Sequence, residues 1–472
     1  DIRDAAGDGH GTPNVDIANV TLLTGSHGDL TTIRTTNTFT NKADIDYTVT
    51  GGTISIAQAN TLSGATTGKV TATLANGALA DFIGAGGINA DTGNDGGDIN
   101  AFTITLTDAT VAAGDLTTLD ARTSGTINLN SATKLTGKFS ELRAFVAAED
   151  NFDNKSGLAT IQFDAENIDG GTGRGSVAQL LTFHTDIRDN AGDGFKANAV
   201  LDLANVDLLS GGVSDLKSAM TLTDATNLTG LKLTATDSSI SIADANTLSS
   251  ATTDTVTATI VESTIAQILA GGGAGLAADG GNNAFTIDIS STTAAASDLA
   301  SIHALTSETV ALDKVTTLTG TFTELKQYIT DEAQYTSKNA VTTVTFDAEN
   351  IDGAGGRGTV AELVSFITDI RDTGDGHGTP SINIDSVALL SGGYSDINSV
   401  RTASNLTGFG DITVTVTGGA ISVTNANTLN AATTGALTAT ISAGLTSVLN
   451  DLADKEGGQV PDNNYSITIT DT

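Results

Sequence analysis

Carboxylates set in two recurring loops are the groups in this chain best suited to chemistry. The first loop, DIRDAAGDGHGT, carries Asp4 and Asp8; it returns with Asp189 and Asp193, and again with Asp372 and Asp375. Asp and Gly in a tight loop can turn carboxylate and carbonyl oxygens toward Ca²⁺, a hard ion that takes six to eight of them. Calcium is therefore the one cofactor these loops call for. Against it, the spacing shortens by one residue in the third occurrence and no loop closes on the Glu of an EF-hand, so a capped, solvated turn is the competing reading. The second cluster is Asp164, Glu166 and Asp169 with Arg174 nearby, recurring as Asp347, Glu349, Asp352 and Arg357. On a strand, Asp164 and Glu166 share a face, which would suit a cation or a docking subunit. The favoured alternative is a staple between Arg and carboxylate of neighbouring coils, because the countercharge is supplied in sequence.

Other chemistries find less support. Paired carboxylates can cleave glycosidic bonds, but here the pair is repeated, whereas an active site is usually built once. The chain also has no Trp and only 5 Tyr to stack on sugars. Its 5 histidines form no constellation: His10 and His377 occupy matching loops where Phe195 stands in the second occurrence, and His184 and His303 fall in expected helices. No Ser-His-Asp set can be assembled from recurring positions. Runs such as TVTG and TITLT could form hydroxyl ladders for ice or glycans, yet Thr is also simply a good strand residue. The reading is thus of a chain that is not an enzyme.

These loops must be held by repeated elements. The tetrapeptide DIRD begins at Asp1, Asp186 and Asp369, and Phe163 to Gly194 recurs almost letter for letter from Phe346 to Gly376. Three copies follow: 1–185, 186–368 and a partial 369–472. The first residue is not Met and the last copy is incomplete, which reads as a processed product or an excerpt. Within a copy, short strands alternate with short helices. Val15, Ile17, Val20 and Leu22 alternate as on a half-buried strand; Ser26 is set to cap a helix with Asp29 in its first turn; Leu79 to Ile83 reads as another helix; TIQFDAENI reads as a strand and SVAQLLTF as a helix. Thr321 and Glu324 make a capping box, where the first copy has Lys138 and Glu141. The segment Ile88 to Asn100 has loop composition.

Composition narrows the partners. With 55 acids and 21 bases the net charge is −34, and no basic run offers itself to phosphates, so nucleic acid is not a partner. There are no cysteines, hence no disulfides or thiolate metal sites. No apolar run approaches the roughly 18 residues of a membrane span.

Strands ending in LTG or LSG, helices reading xxDL or xxEL and turns reading TTG or TSG make this chain resemble the repeat regions of giant bacterial surface proteins, of the cyanobacterial β-strand-repeat and S-layer-like kind. The resemblance implies an extracellular or cell-surface setting and transfers no catalytic residue. The expected fold is a β-rich repeat solenoid, one continuous stack of parallel-strand coils each followed by a short helix, forming a rod on the order of 70 Å long. The expected function is a structural protein that stiffens a filament, surface layer or stalk by self-association with copies of itself. The alternative is an adhesin or fibre shaft that holds cell-surface glycans through variable loops.

Overall fold

The computed structural model describes residues 13–89, 99–188, 199–278, 282–453 and 462–470. Strands form where β-branched and apolar residues alternate: Val70–Thr73 buries every second side chain, as does Thr413–Val416, which is the period of a pleated ribbon with one face inside. Helices start where a hydroxyl can meet their first free amides. Ser55 with Gln58, Ser176 with Gln179, Thr321 with Glu324 and Thr359 with Glu362 each make reciprocal side-chain and backbone bonds. Ser26 accepts the Asp29 amide at 3.2 Å, and the helix His27–Thr35 follows. At Lys138 the backbone amide donates to Glu141 at 2.9 Å, but the hydroxyl half is missing. Leu79–Ile83 and Val177–Asp186 are helices, as their sequences foretell.

Every described strand pair is parallel, because each strand is followed by a helix or loop that carries the chain back before it pairs again. A recurring buried threonine fastens these returns. The hydroxyls of Thr66, Thr123, Thr252, Thr306 and Thr433 donate to the carbonyls of Ile45, Phe102, Leu231, Phe285 and Ile412 at 2.6 to 3.0 Å, always 21 residues back.

Two compact units divide the chain, residues 1–236 with 251–253, and residues 237–250 with 254–472. The first holds a two-stranded sheet of Val15–Asp16 and Phe39–Thr40, a six-stranded sheet running from Leu22–Gly25 to Phe152–Asp153, a five-stranded sheet running from Thr110–Ala112 to Ala225–Thr226, and the ladder Glu166–Ile168, Val206–Gly211, Lys232–Ala235. Its core includes Phe139, Phe163 and Phe183, with ring centroids 5.7 to 6.2 Å apart. The second holds the ladder Val256–Ser263, Ala284–Ile289, Val310–Ala311, Tyr335–Thr336 and two five-stranded sheets, one from Thr293–Ala295 to Leu406–Thr407 and one from Glu349–Ile351 to Asn464–Ile469. Phe322, Phe346 and Phe366 form its matching aromatic cluster, with centroids 5.7 to 5.9 Å apart.

These findings correct the expected fold. The described strands fall into separate small parallel sheets interleaved with helices, and not into one continuous solenoid or β-helix. The physical reason lies in strand length and register. Many strands have only two to four residues, and register shifts occur at Glu166/Ile168, Ile260/Ser263, Glu349/Asn350 and Ile441/Gly444. A ladder of so few residues ends early and the chain begins another, while at each register shift the strand bulges and the same pair resumes beyond it. The resemblance to β-strand-repeat surface proteins and S-layers is corrected with the fold it implied, since the alternating strand and helix units build several separate sheets of an α/β fold.

Candidate functional site

The most developed polar constellation lies in the second unit, where helix Phe322–Thr330 ends. Past it come the short turn Glu332–Gln334, the two-residue strand Tyr335–Thr336 and the turn Lys338–Ala340. Ser337 makes the bend between strand and turn with φ 56°, a left-handed conformation that few side chains adopt. A second loop approaches from residues 372–377. Asp372 caps the turn Thr373–Asp375 by accepting the Gly374 amide at 2.7 Å, and Gly376, at φ 84°, swings the chain so that His377 points inward.

The result is a buried imidazole, 4% exposed, whose Nε2 lies 2.6 Å from Oε2 of Glu332. The same carboxylate oxygen lies 3.6 Å from Nζ of the buried Lys338. The Tyr328 ring stacks on Tyr335 at 5.0 Å and meets the His377 ring edge-on at 6.0 Å. Burial pushes the Tyr335 hydroxyl up to about 12, helped by Asp331. Burial also raises Tyr328, with Tyr335 and Glu332 adding to the shift, so both phenols stay protonated donors at neutral pH. Tyr328 is 2% exposed and its buried hydroxyl meets no hydrogen-bond partner among the described residues, an arrangement that disfavours the fold by roughly 1–3 kcal/mol. Above this floor opens a groove of about 690 Å³, lined by Glu332, Tyr335, Lys338, Asn339, Asp375 and His377 among others.

Among the described residues the constellation occurs once. Its counterparts in the first copy are Phe145 and Phe152 for the two tyrosines, with ring centroids 4.7 Å apart, while Glu149 and Lys155 are retained. In sequence, Phe195 stands where His377 does. Tyr328 and Tyr335 thus stand where the first copy has Phe145 and Phe152, and His377 stands where the second occurrence of its loop has Phe195 and the first has His10. His377 was set aside because its position is not always histidine, and the joint difference between the copies at these three positions was the signal that could have found it.

The residues singled out in sequence have different fates. Asp4, Asp8, Asp189 and Asp193 lie outside the described residues. Asp372 caps a turn and Asp375 borders the groove; among the described residues no group of three or more His, Cys, Asp or Glu side chains is placed to hold a metal ion. Asp169 pairs with Arg174 at 3.0 Å, and Asp352 holds Arg357 in a two-pronged pair at 2.8 and 3.0 Å. Each pair closes its own loop. Glu166 accepts the amide of Phe139, and Glu349 that of Phe322 at 2.5 Å, so each carboxylate meets the first amide of a helix. Burial pushes the Glu349 carboxyl above its ordinary range; the Phe322 amide opposes this, Asp347 and Glu324 reinforce it and Arg357 lowers it. Glu166 is likewise raised, first by burial and then by Asp164 and Glu141, against the Phe139 amide and Lys138. Asp164 and Asp347 thus act on their neighbours through charge. A groove of about 540 Å³ beside Glu166 and Arg174 accompanies the first of these loops.

Two functional expectations are corrected here. Buried polar and aromatic networks in an α/β fold point to a globular catalytic or binding domain, and away from a fibrous structural protein, surface layer or adhesin shaft. The exclusion of enzymatic character falls as well, since an oriented imidazole and carboxylate beside a groove is an enzyme-like arrangement. No described helix is long and apolar enough to cross a membrane. No family model matches the chain, and neither a curated protein nor a solved structure matches it.

Proposed function

We propose that this protein is a binding domain whose ligand site is the groove over Glu332, Lys338 and His377, and that the ligand is a small, neutral molecule rich in hydroxyl groups. The observation that carries this reading is that, among the described residues, Tyr328, Tyr335 and His377 gather once over a Glu–Lys pair whose sequence counterpart, Glu149 and Lys155, is accompanied by Phe145 and Phe152. Evolving such a floor without a ligand would leave Tyr328 unsatisfied for nothing in return. The groove mixes donors, the Lys338 ammonium and the Asn339 amide, with the acceptor Asp375 and the hydroxyls of Thr336, Ser337 and Thr373. A hydroxyl group both donates and accepts, so it suits that mixture. An anion is disfavoured by the net charge of −34. Tyr335 is only 4% exposed, so recognition rests on hydrogen bonds more than on ring stacking.

The test is titration of the full chain with a panel of monosaccharides and polyols, followed by calorimetry and by NMR of the His377 ring. Saturable binding by at least one panel member is expected, with His377→Phe, which restores the residue of the second occurrence, weakening it by about tenfold or more while the melting temperature holds. Ligand binding that His377→Phe leaves unchanged would place the site elsewhere.

A second reading, hydrolysis with His377 as general base oriented by Glu332, is favoured by their 2.6 Å contact. Turnover of ester or glycoside probes that vanishes in Glu332→Gln would select it over simple binding.

A further inference from the structure

The loop 169–175 packs on the start of the helix Phe139–Ala147, as the loop 352–358 packs on the helix Phe322–Thr330, with Gly175 and Gly358 against the rings of Phe139 and Phe322. The two copies spend their polar groups differently at this junction. In the second copy they are occupied. Thr321 accepts the Glu324 amide at 3.4 Å, the Thr323 hydroxyl donates to the Gly356 carbonyl at 3.4 Å, and Arg357 grips Asp352 with two prongs. In the first copy Lys138, Ser140 and Thr172 stand where the second has Thr321, Thr323 and Gly355. Among the described residues the side chains of Lys138, Ser140, Asn167 and Thr172 make no hydrogen bond or ion pair, and Arg174 meets Asp169 through one nitrogen, at 3.0 Å. All five line the groove of about 540 Å³.

These groups form a cluster of donors. An ammonium, a guanidinium, a side-chain amide and two hydroxyls bring N–H and O–H groups to one concavity. The carboxylate on the lining, Glu166, already accepts the Phe139 amide, and burial favours its protonated form. That amide is the first of its helix, so the side chains, and not the helix end, remain to bind a ligand. The net charge of −34 acts against any anion, but it is screened over roughly 8 Å at physiological salt, and two cations share this lining with one carboxylate. At His377 the balance is reversed, because Lys338 is held by Glu332 with Asp375 on the same lining.

We propose that the groove of Lys138 and Arg174 binds a phosphate group, free or carried by a small organic molecule, with Ser140, Thr172 and Asn167 completing its shell of donors. The guanidinium fork matches two phosphate oxygens and the ammonium supplies a point charge, while the remaining oxygen leaves acceptor capacity for the hydroxyls and the amide. The groove lies within the size range of small-molecule pockets, so it has room for the carbon skeleton of an ester. This site is independent of the groove at His377.

The test is calorimetric titration of the full chain, at fixed ionic strength, with inorganic phosphate and with glycerol 3-phosphate. Saturable binding is expected. Tighter binding of the ester would show that its skeleton occupies the groove, and equal binding that the phosphate group alone is recognised. Lys138→Thr installs the residue of the second copy together with its capping hydroxyl, so it should hold the melting temperature while weakening both ligands by about tenfold or more. Glu166→Gln keeps an oxygen for the Phe139 amide and removes the carboxylate, and should tighten binding by about threefold or more. Lys314→Thr removes the same charge from a different groove and should leave the affinity unchanged. Failure of both phosphate and its ester to bind saturably overturns the proposal. Equal losses in Lys138→Thr and Lys314→Thr would also overturn it, by tracing binding to the charge of the whole chain.

Discussion

At the scale of single residues, the molecule concentrates its unusual energetics in a few buried polar groups. Glu349 illustrates how the sign works out. Its folded carboxyl holds a proton more tightly than the unfolded one, because burial outweighs the Phe322 amide. The folded state therefore binds more protons between the ordinary value of 4.5 and the raised value, and stability falls as pH rises through that window. Glu349→Gln keeps an oxygen for the amide and removes the charge. Its melting temperature relative to the parent should rise between about pH 4 and pH 7, and a flat difference across that range would contradict the raised carboxyl. Tyr328→Phe should stabilise the unliganded protein by about 1 kcal/mol in urea denaturation, since it removes a buried hydroxyl that finds no partner. If the groove binds hydroxyl-rich molecules, the same change should weaken them. None of this was evident from residue type. Histidine and tyrosine spacing gave no constellation, because Tyr328 and His377 lie 49 residues apart and meet only through two turns.

At the scale of elements, close approach between loop and helix sets the tolerances. Gly175 and Gly358 lie flat against the rings of Phe139 and Phe322, and a Cβ at either would stand 1.7 or 1.8 Å from a ring carbon. Gly358→Ala should destabilise by about 1–3 kcal/mol or more through overpacking, seen as a lower urea midpoint at unchanged slope. The glycines of GGTGRG, residues 170–175, suggest a source of backbone freedom by their type alone. That explains Gly173, at φ 76°; at Gly175 the requirement is space, which no single stretch of sequence can reveal. Helix starts were far more legible, because a cap needs only residues within one turn of each other. The hydroxyl and acid pairs at Ser26 with Asp29 and at Thr321 with Glu324 form as their spacing foretells. The arginine staples also form, but inside one loop and not between neighbouring segments.

At the scale of the whole molecule, the excess of acids is the dominant field. With a net charge of −34, self-repulsion opposes the folded state and is screened over roughly 8 Å at physiological salt. Raising sodium chloride from about 0.01 M to about 0.15 M should therefore raise the melting temperature in calorimetry. An additional rise with calcium at matched ionic strength would trace to the aspartate loops, and Asp372→Asn with Asp375→Asn would then remove it.

The amino-acid sequence by itself determined the internal repetition, the alternation of strand and helix, the caps and the charge, because each depends on neighbours within a turn or on a simple sum. Only the tertiary structure decided that the strands stop and restart as separate sheets, since the ladders are short and their ends are set by packing that a periodic pattern does not record. It also decided that one of several similar loops carries a buried histidine against a half-buried glutamate. A contact 45 residues long in sequence depends on where the intervening helix lays the chain down, and that is a property of packing.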